Sequence, residues 1–152
     1  AFPATPMQGE RILRLFSNIN PHNKPRHWHL GEPFNNVMTR FAPKVSAPLP
    51  GAHTLMNLLG ITKQKRSLYD HYMLNIHHKM KHDSVYQQHA IQEKVAFPPN
   101  TTWLVFTDLV SHAALAGQHL LEQTFYIPVD AQCHPEWAPL KQLEHYLQKP
   151  LL

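Results

Sequence analysis

From position 11 to 20 the chain reads RILRLFSNIN, with apolar side chains on both parities. Ile12, Arg14, Phe16 and Asn18 share one parity, and Leu13, Leu15 and Ile19 the other. Successive side chains of a strand point to opposite faces, so the pattern predicts a strand covered on both sides. Pro21, Asn23 and Pro25 punctuate a turn, and RHWHL over 26–30 predicts a second short strand ending at Gly31. The period then changes: Phe34, Val37, Met38 and Phe41 recur at helical spacing and predict a short helix within 32–41.

The Pro-rich stretch 42–50 reads as a loop, and 54–59 as a helix stopping near Gly60. Tyr69, Met73, Leu74, Ile76 and Met80 predict a helix over 68–81, with Asp83 placed to cap a further turn through Tyr86 and Gln87. Pro98, Pro99 and Asn100 form a turn before WLVFT, a dense apolar strand over 103–107. Residues 110–116 carry His112 in small, apolar surroundings, and Gly117 breaks the chain before a strand over 119–128. His119, Leu121, Gln123 and Phe125 share one face of that strand; Leu120, Glu122, Thr124 and Tyr126 share the other. Pro139 opens a final amphipathic helix with Leu140, Leu143 and Leu147 on one side. Strands thus gather at both ends with helices and loops between, predicting a mainly β fold with flanking helices. No internal repeat is visible.

At 152 residues one domain is the default, and 43% hydrophobic residues suffice for a core. No apolar run approaches the roughly 20 residues needed to span a bilayer. A single cysteine, Cys133, excludes an internal disulfide, fits a reducing compartment and reads as a small apolar filler. A net charge of +4 suits an anionic substrate or membrane surface. The cations are scattered, without a basic stripe bearing regular aromatics, which argues against nucleic acid. The chain opens at Ala1 without a methionine, as a fragment or a processed product does.

Thirteen histidines invite a metal reading. His78 and His82 lie at i and i+4, but no carboxylate completes an HExxH pattern, so a solvated helix face is the better account. The segment TDLVSHAALAGQHLLEQTF is more specific. A histidine ending one strand, a glycine, and a last strand with inward polar side chains recur in the jelly-roll barrel of iron oxygenases. Their metal is held by two histidines and one carboxylate, with open positions for a 2-oxo acid and O2. Taken alone, His112 reads better as a core histidine bonded to a backbone carbonyl.

Several long blocks carry a closer resemblance: GERILRLFSNINP, WHLGEPF, LGITKQKRSLYDHYMLNIHHKMKHD and FPPNTTWLVFTDLVSHAALAGQHLLEQTFYIPV. Together they resemble consecutive blocks of the 3-deoxy-D-manno-oct-2-ulosonic acid (Kdo) hydroxylases, over residues 1 to about 130. The resemblance implies a double-stranded β-helix (jelly-roll, cupin-like), incomplete at its N-terminus, with residues 1–152 as the C-terminal part of one dioxygenase domain. It implies Fe(II) and 2-oxoglutarate as cofactors, and O2 and lipid A-linked Kdo as substrates, with the 3-hydroxylated sugar Ko as product. The expected place is the cytoplasm, at the inner membrane surface of a Gram-negative bacterium.

In that family a His-x-Asp ligand pair comes just before the Ala-Phe-Pro that opens this chain. Only the distal ligand remains, and it matches His112. One histidine holds iron weakly, so the chain alone is expected to be inactive. The 2-oxo acid carboxylate needs a cation or a hydroxyl. His119 stands where many related oxygenases carry a basic residue, and Arg14, Asn18 and Gln123 are the further candidates. For Arg14 the competing reading is an ion pair with Glu10. For the sugar acid, Arg26, Tyr69, Asp70 and His71 are candidates, with packing the rival role of Tyr69 and backbone bonding that of Asp70. Lys63, Lys65 and Arg66 read as a solvated loop or as partners of lipid phosphates. Two other classes stay open: a non-catalytic sugar- or lipid-binding β-barrel module, and a histidine-rich metal-binding protein.

Overall fold

The computed structural model describes residues 6–48 and 66–152. The strand expected near the start is β1 (Arg11–Asn18), and β2 (Arg26–Pro33) follows it. The later strands are β3 (Glu93–Phe97), β4 (Thr102–Phe106), β5 (Val110–Ala116) and β6 (Leu120–Ile127). They form two three-stranded sheets, β4-β1-β6 and β3-β2-β5, with every pairing antiparallel.

Aromatic side chains join the sheets. Phe16 of β1 meets the Trp28 ring of β2 edge-on, with centroids 4.9 Å apart. Trp103 of β4 lies 5.5 Å from Phe16 and stacks flat on Phe97 of β3 at 3.9 Å. Such pairs add roughly 0.5–1.5 kcal/mol each beyond their area burial. They also define the inner face, so the parity of Phe16 sends Arg14 between the sheets.

The opposite face of β1 behaves differently from expectation. Leu13 and Leu15 pair across with Phe106 and Leu104 of β4 and with Phe125 and Gln123 of β6. Leu104, Leu121 and Phe125 on that side are 60%, 57% and 43% exposed. The described residues therefore leave much of the outer face open, though Arg11 at its start is buried. Alternation tells which side chains share a face, and neighbouring elements decide whether the face is covered.

The main core lies beside the sheets, among helices. β2 runs on to Pro33, beyond the expected stop at Gly31, and leads straight into α1 (Phe34–Phe41). Gly31 sits so close to β5 that a Cβ there would overlap the Ser111 hydroxyl, so it serves close strand approach and does not end the strand. Helix α2 (Leu68–His82) starts with a capping box: Ser67 Oγ accepts from the Asp70 amide at 3.1 Å, and the Asp70 carboxylate accepts from the Ser67 amide at 3.1 Å. Asp83 caps α3 (Ser84–His89) by accepting from the Tyr86 amide at 2.9 Å. Helix α4 (Pro139–Leu147) has proline in its first turn. Phe34, Val37 and Phe41 of α1 pack with Tyr72, Met73 and Ile76 of α2 and with Leu140 and Leu143 of α4. Each such side chain contributes roughly 1.5–3 kcal/mol when fully buried.

Mostly β with helices, the molecule has the expected class. Strand β3 was not visible in the sequence, because EKVAF mixes charge with apolar residues. It forms by pairing with Arg26–Leu30 of β2. Cys133 is exposed and fills no core gap. The expected helix over 54–59, with Lys63 and Lys65, lies outside the described residues. No helix among the described residues is long and apolar enough to cross a membrane.

Candidate functional site

His112 pairs across with Leu30, and Ala114 with Trp28, so His112 and Trp28 share the inner face of their sheet. The imidazole stacks on the Trp28 indole at 5.4 Å, with the planes 19° apart. Its Nδ1 lies 3.0 Å from the Val110 carbonyl oxygen. With Nδ1–H donating there, Nε2 keeps a lone pair for a ligand. Burial pushes the imidazole below its ordinary pKa, against the opposing pull of the Val110 carbonyl. Burial thus favours the neutral ring, the form a metal needs.

Arg14 projects into the same space from β1. Its guanidinium meets the Glu122 carboxylate of β6 at 2.9 Å, and not Glu10. Both charges lie close enough to act on His112. The contact uses one nitrogen of the Arg14 fork, and Arg14 Nε is buried without a partner among the described residues. The indole nitrogens of Trp28 and Trp103 are likewise buried and unpartnered. A buried donor left unsatisfied costs roughly 1–3 kcal/mol, so this interior is built for an acceptor. A carboxylate meets a cationic fork and an indole N–H well. Trp28 was not among the sequence candidates; its signal was an aromatic on the inner parity of the short strand RHWHL.

Beside His112 opens a small cleft. Val37 of α1 and Met73, Ile76 and Met80 of α2 form its apolar wall, with His77 set among them. Thr107, Asp108 and Ser111 contribute polar groups on the strand side. Asp108 is already committed, since its carboxylate takes the Arg11 Nε–H at 2.7 Å in a fully buried pair. Burial raises the Asp108 pKa, and the Arg11 guanidinium opposes that shift.

Several sequence candidates lie elsewhere. Asn18 has the right parity but sits at the far end of β1, where its amide donates to the carbonyls of Lys24 and Phe97 and its oxygen accepts from the Asn20 amide. It closes the β1–β2 turn and has no donor left for a cofactor. Gln123 pairs with Leu15 and therefore faces outward, opposite to Arg14. His119 lies in the turn before β6 with φ 59, beside His22. Arg26 donates to the Gly117 carbonyl at that same end. Tyr69 is fully buried in the helical core. Asp70 is 2% exposed and accepts from the Met7 amide at 2.6 Å as well as from Ser67. His71 contacts the Ser46 carbonyl oxygen at 2.9 Å. The resemblance suggested this segment for the sugar site; none of these three lines the cleft, and His77, further along the same helix, does. His78 and His82 are exposed, with His82 Nδ1 against the His78 carbonyl, as a solvated face requires.

Among the described residues no group of three or more His, Cys, Asp or Glu side chains is placed to hold a metal. His112 could serve as one ligand of a facial metal site, and Arg14 Nε and Trp28 Nε1 are buried donors that could meet a carboxylate. Three protein ligands make a usual site of this kind.

The family model for 3-deoxy-D-manno-oct-2-ulosonic acid (Kdo) hydroxylase matches residues 1–150. Among solved structures, the Kdo hydroxylase KdoO, a non-heme Fe(II) alphaketoglutarate-dependent dioxygenase in complex with alphaketoglutarate and Fe(III), is 55% identical with a TM-score of 0.95. That match covers 100% of this chain and 52% of KdoO. The cobalt(II) complex of KdoO is 56% identical with a TM-score of 0.94, covering 99% of this chain and 51% of the other. The apo structure gives the same identity, TM-score and coverage. No curated protein matches the chain. The chain thus spans about half the length of the solved structures it matches, and it belongs to the Kdo hydroxylase family.

Proposed function

We propose that the chain forms the His112-bearing, C-terminal part of an Fe(II)- and 2-oxoglutarate-dependent dioxygenase that hydroxylates Kdo. The observation that carries this reading is an inward-facing imidazole beside Arg14, whose Nε has no partner among the described residues, on a scaffold like that of KdoO. The two facing antiparallel sheets are read as part of a double-stranded β-helix.

In this reading His112 supplies one metal ligand, and a His-x-Asp pair from outside these residues supplies the others. Bound iron with 2-oxoglutarate supplies the oxidising power, while O2 is reduced and the oxo acid becomes succinate and CO2. The protein's own part is placement. Arg14 and Trp28 bind the oxo acid carboxylate, Glu122 steadies the Arg14 fork, and the apolar wall of the cleft keeps water from the reacting centre. The sugar is Kdo attached to lipid A, met at the inner membrane surface, and the product is Ko.

The test uses protein of the relatives' full length. The expected result is binding of one Fe(II) and release of succinate that depends on a Kdo-bearing lipid. Sugar affinity indifferent to iron would instead indicate a non-catalytic module. Several equivalents of zinc or copper bound through many histidines would indicate a metal-binding protein.

A further inference from the structure

Helix α2 lays one stripe along the cleft, made of Met73, Ile76, His77 and Met80. Three of the four are apolar. His77 is the exception, and it faces a space shared with His112. It is half-buried and makes no hydrogen bond to any described residue, its nearest ring contact being with His78 at 6.1 Å. Burial lowers its pKa, with the neighbouring cations acting in the same direction. Binding sites for small polar ligands combine apolar walls with a few placed polar groups that fix orientation. An imidazole with both nitrogens free, in an otherwise methionine-lined wall, is such a group.

We propose that His77 is a sugar-binding residue: its imidazole hydrogen-bonds a hydroxyl or the carboxylate of the sugar acid and holds the ring across the cleft from His112. The inference rests on the Kdo hydroxylase reading above and adds a residue to it. The apolar stripe suits the C–H face of a pyranose, and His77 gives that face one fixed direction. The hydroxyl-bearing edge opposite is left to Thr107 and Ser111.

The test compares His77→Phe and His77→Gln in protein of the relatives' full length. One lost hydrogen bond predicts a KM for the Kdo-bearing lipid raised about tenfold in His77→Phe. His77→Gln, which keeps a donor and an acceptor, recovers most of that loss. The KM for 2-oxoglutarate and the thermal midpoint stay at the wild-type values in both. In the wild type, free Kdo shifts the His77 ring resonances.

An unchanged sugar KM in His77→Phe overturns the proposal. So does an equal rise in both variants accompanied by a lowered melting point, since that is the mark of a packing role. If wild-type protein binds iron and oxo acid yet responds to no Kdo compound, the functional reading fails first and takes this inference with it.

Discussion

The His112 imidazole lies against the Trp28 indole at 5.4 Å, held there because both side chains belong to the inner face of paired strands β2 and β5. Stacking fixes the ring plane, and the Val110 carbonyl fixes which nitrogen carries the proton. Together they fix where Nε2 points, and in the proposed function a ligand so preoriented would lose little freedom on binding a metal.

His112→Ala removes that ligand. Succinate formation in full-length protein should fall to background while the far-UV circular dichroism stays unchanged. Retained turnover in this variant defeats the ligand assignment.

Arg14 and Glu122 should separate in their effects. Arg14→Ala removes the carboxylate partner, and loss of a charge-assisted bond worth about 1.5–3 kcal/mol predicts a 2-oxoglutarate KM raised roughly 10- to 100-fold. Glu122→Gln keeps the fork in place through a weaker bond and should raise it only a few-fold. Steady-state kinetics with the oxo acid as varied substrate measures both, and an unchanged KM in Arg14→Ala points to a different anchor.

Asp70 was a sugar-site candidate in the sequence and is a cap in the structure, bonded to Met7 and Ser67. Asp70→Ala should cost about 1–3 kcal/mol by losing the cap and stranding buried amides. Urea unfolding reads that loss, while the sugar KM of the folded enzyme should not change.

Arg11 and Asp108 form a buried pair, with the Arg11 guanidinium also 4.2 Å over the Phe106 ring. Removing one partner leaves the other charge buried, so Arg11→Met or Asp108→Leu alone should cost about 3–5 kcal/mol. The double variant Arg11→Met, Asp108→Leu should recover most of the loss. Denaturant midpoints for the four proteins complete the cycle; simple additivity would show that the two charges do not depend on each other.

Tyr86 is buried against Phe41, at 5.1 Å between ring centroids. Burial, then the nearby Glu32 carboxylate, raises its phenol from the ordinary 10.0 to about 12. Between those values the unfolded chain gives up the proton while the folded chain keeps it. The contribution is therefore complete below pH 10 and lost as pH rises towards 12. Melting temperatures across that range should fall more steeply for the wild type than for Tyr86→Phe, and parallel curves would contradict the burial argument.

The chain's own pattern determined a good deal. Strand periodicity located β1, β4 and β6, helical spacing located α1, α2 and α4, and Asp83 was recognisable as a cap, because each depends on side chains within a few residues of one another. The parity of Arg14 with Phe16 was also readable, since it follows from the pleat alone. The resemblance pointed to His112 as a ligand where the bare residues favoured a core role.

The fold decided what depends on distant partners. EKVAF becomes β3 only because β2 offers it an edge to pair with. Asn18 shares Arg14's parity yet is consumed by a turn, and Gln123 lies on the last strand yet faces away, because register is set by the partner strand. Trp28 joins the site only when the second sheet folds over the first. On α2, Asp70 went to a cap and His77 to the cleft, two turns apart on one helix. Seven residues apart, they share a helical face, and only the fold sets one against Met7 and the other at the cleft.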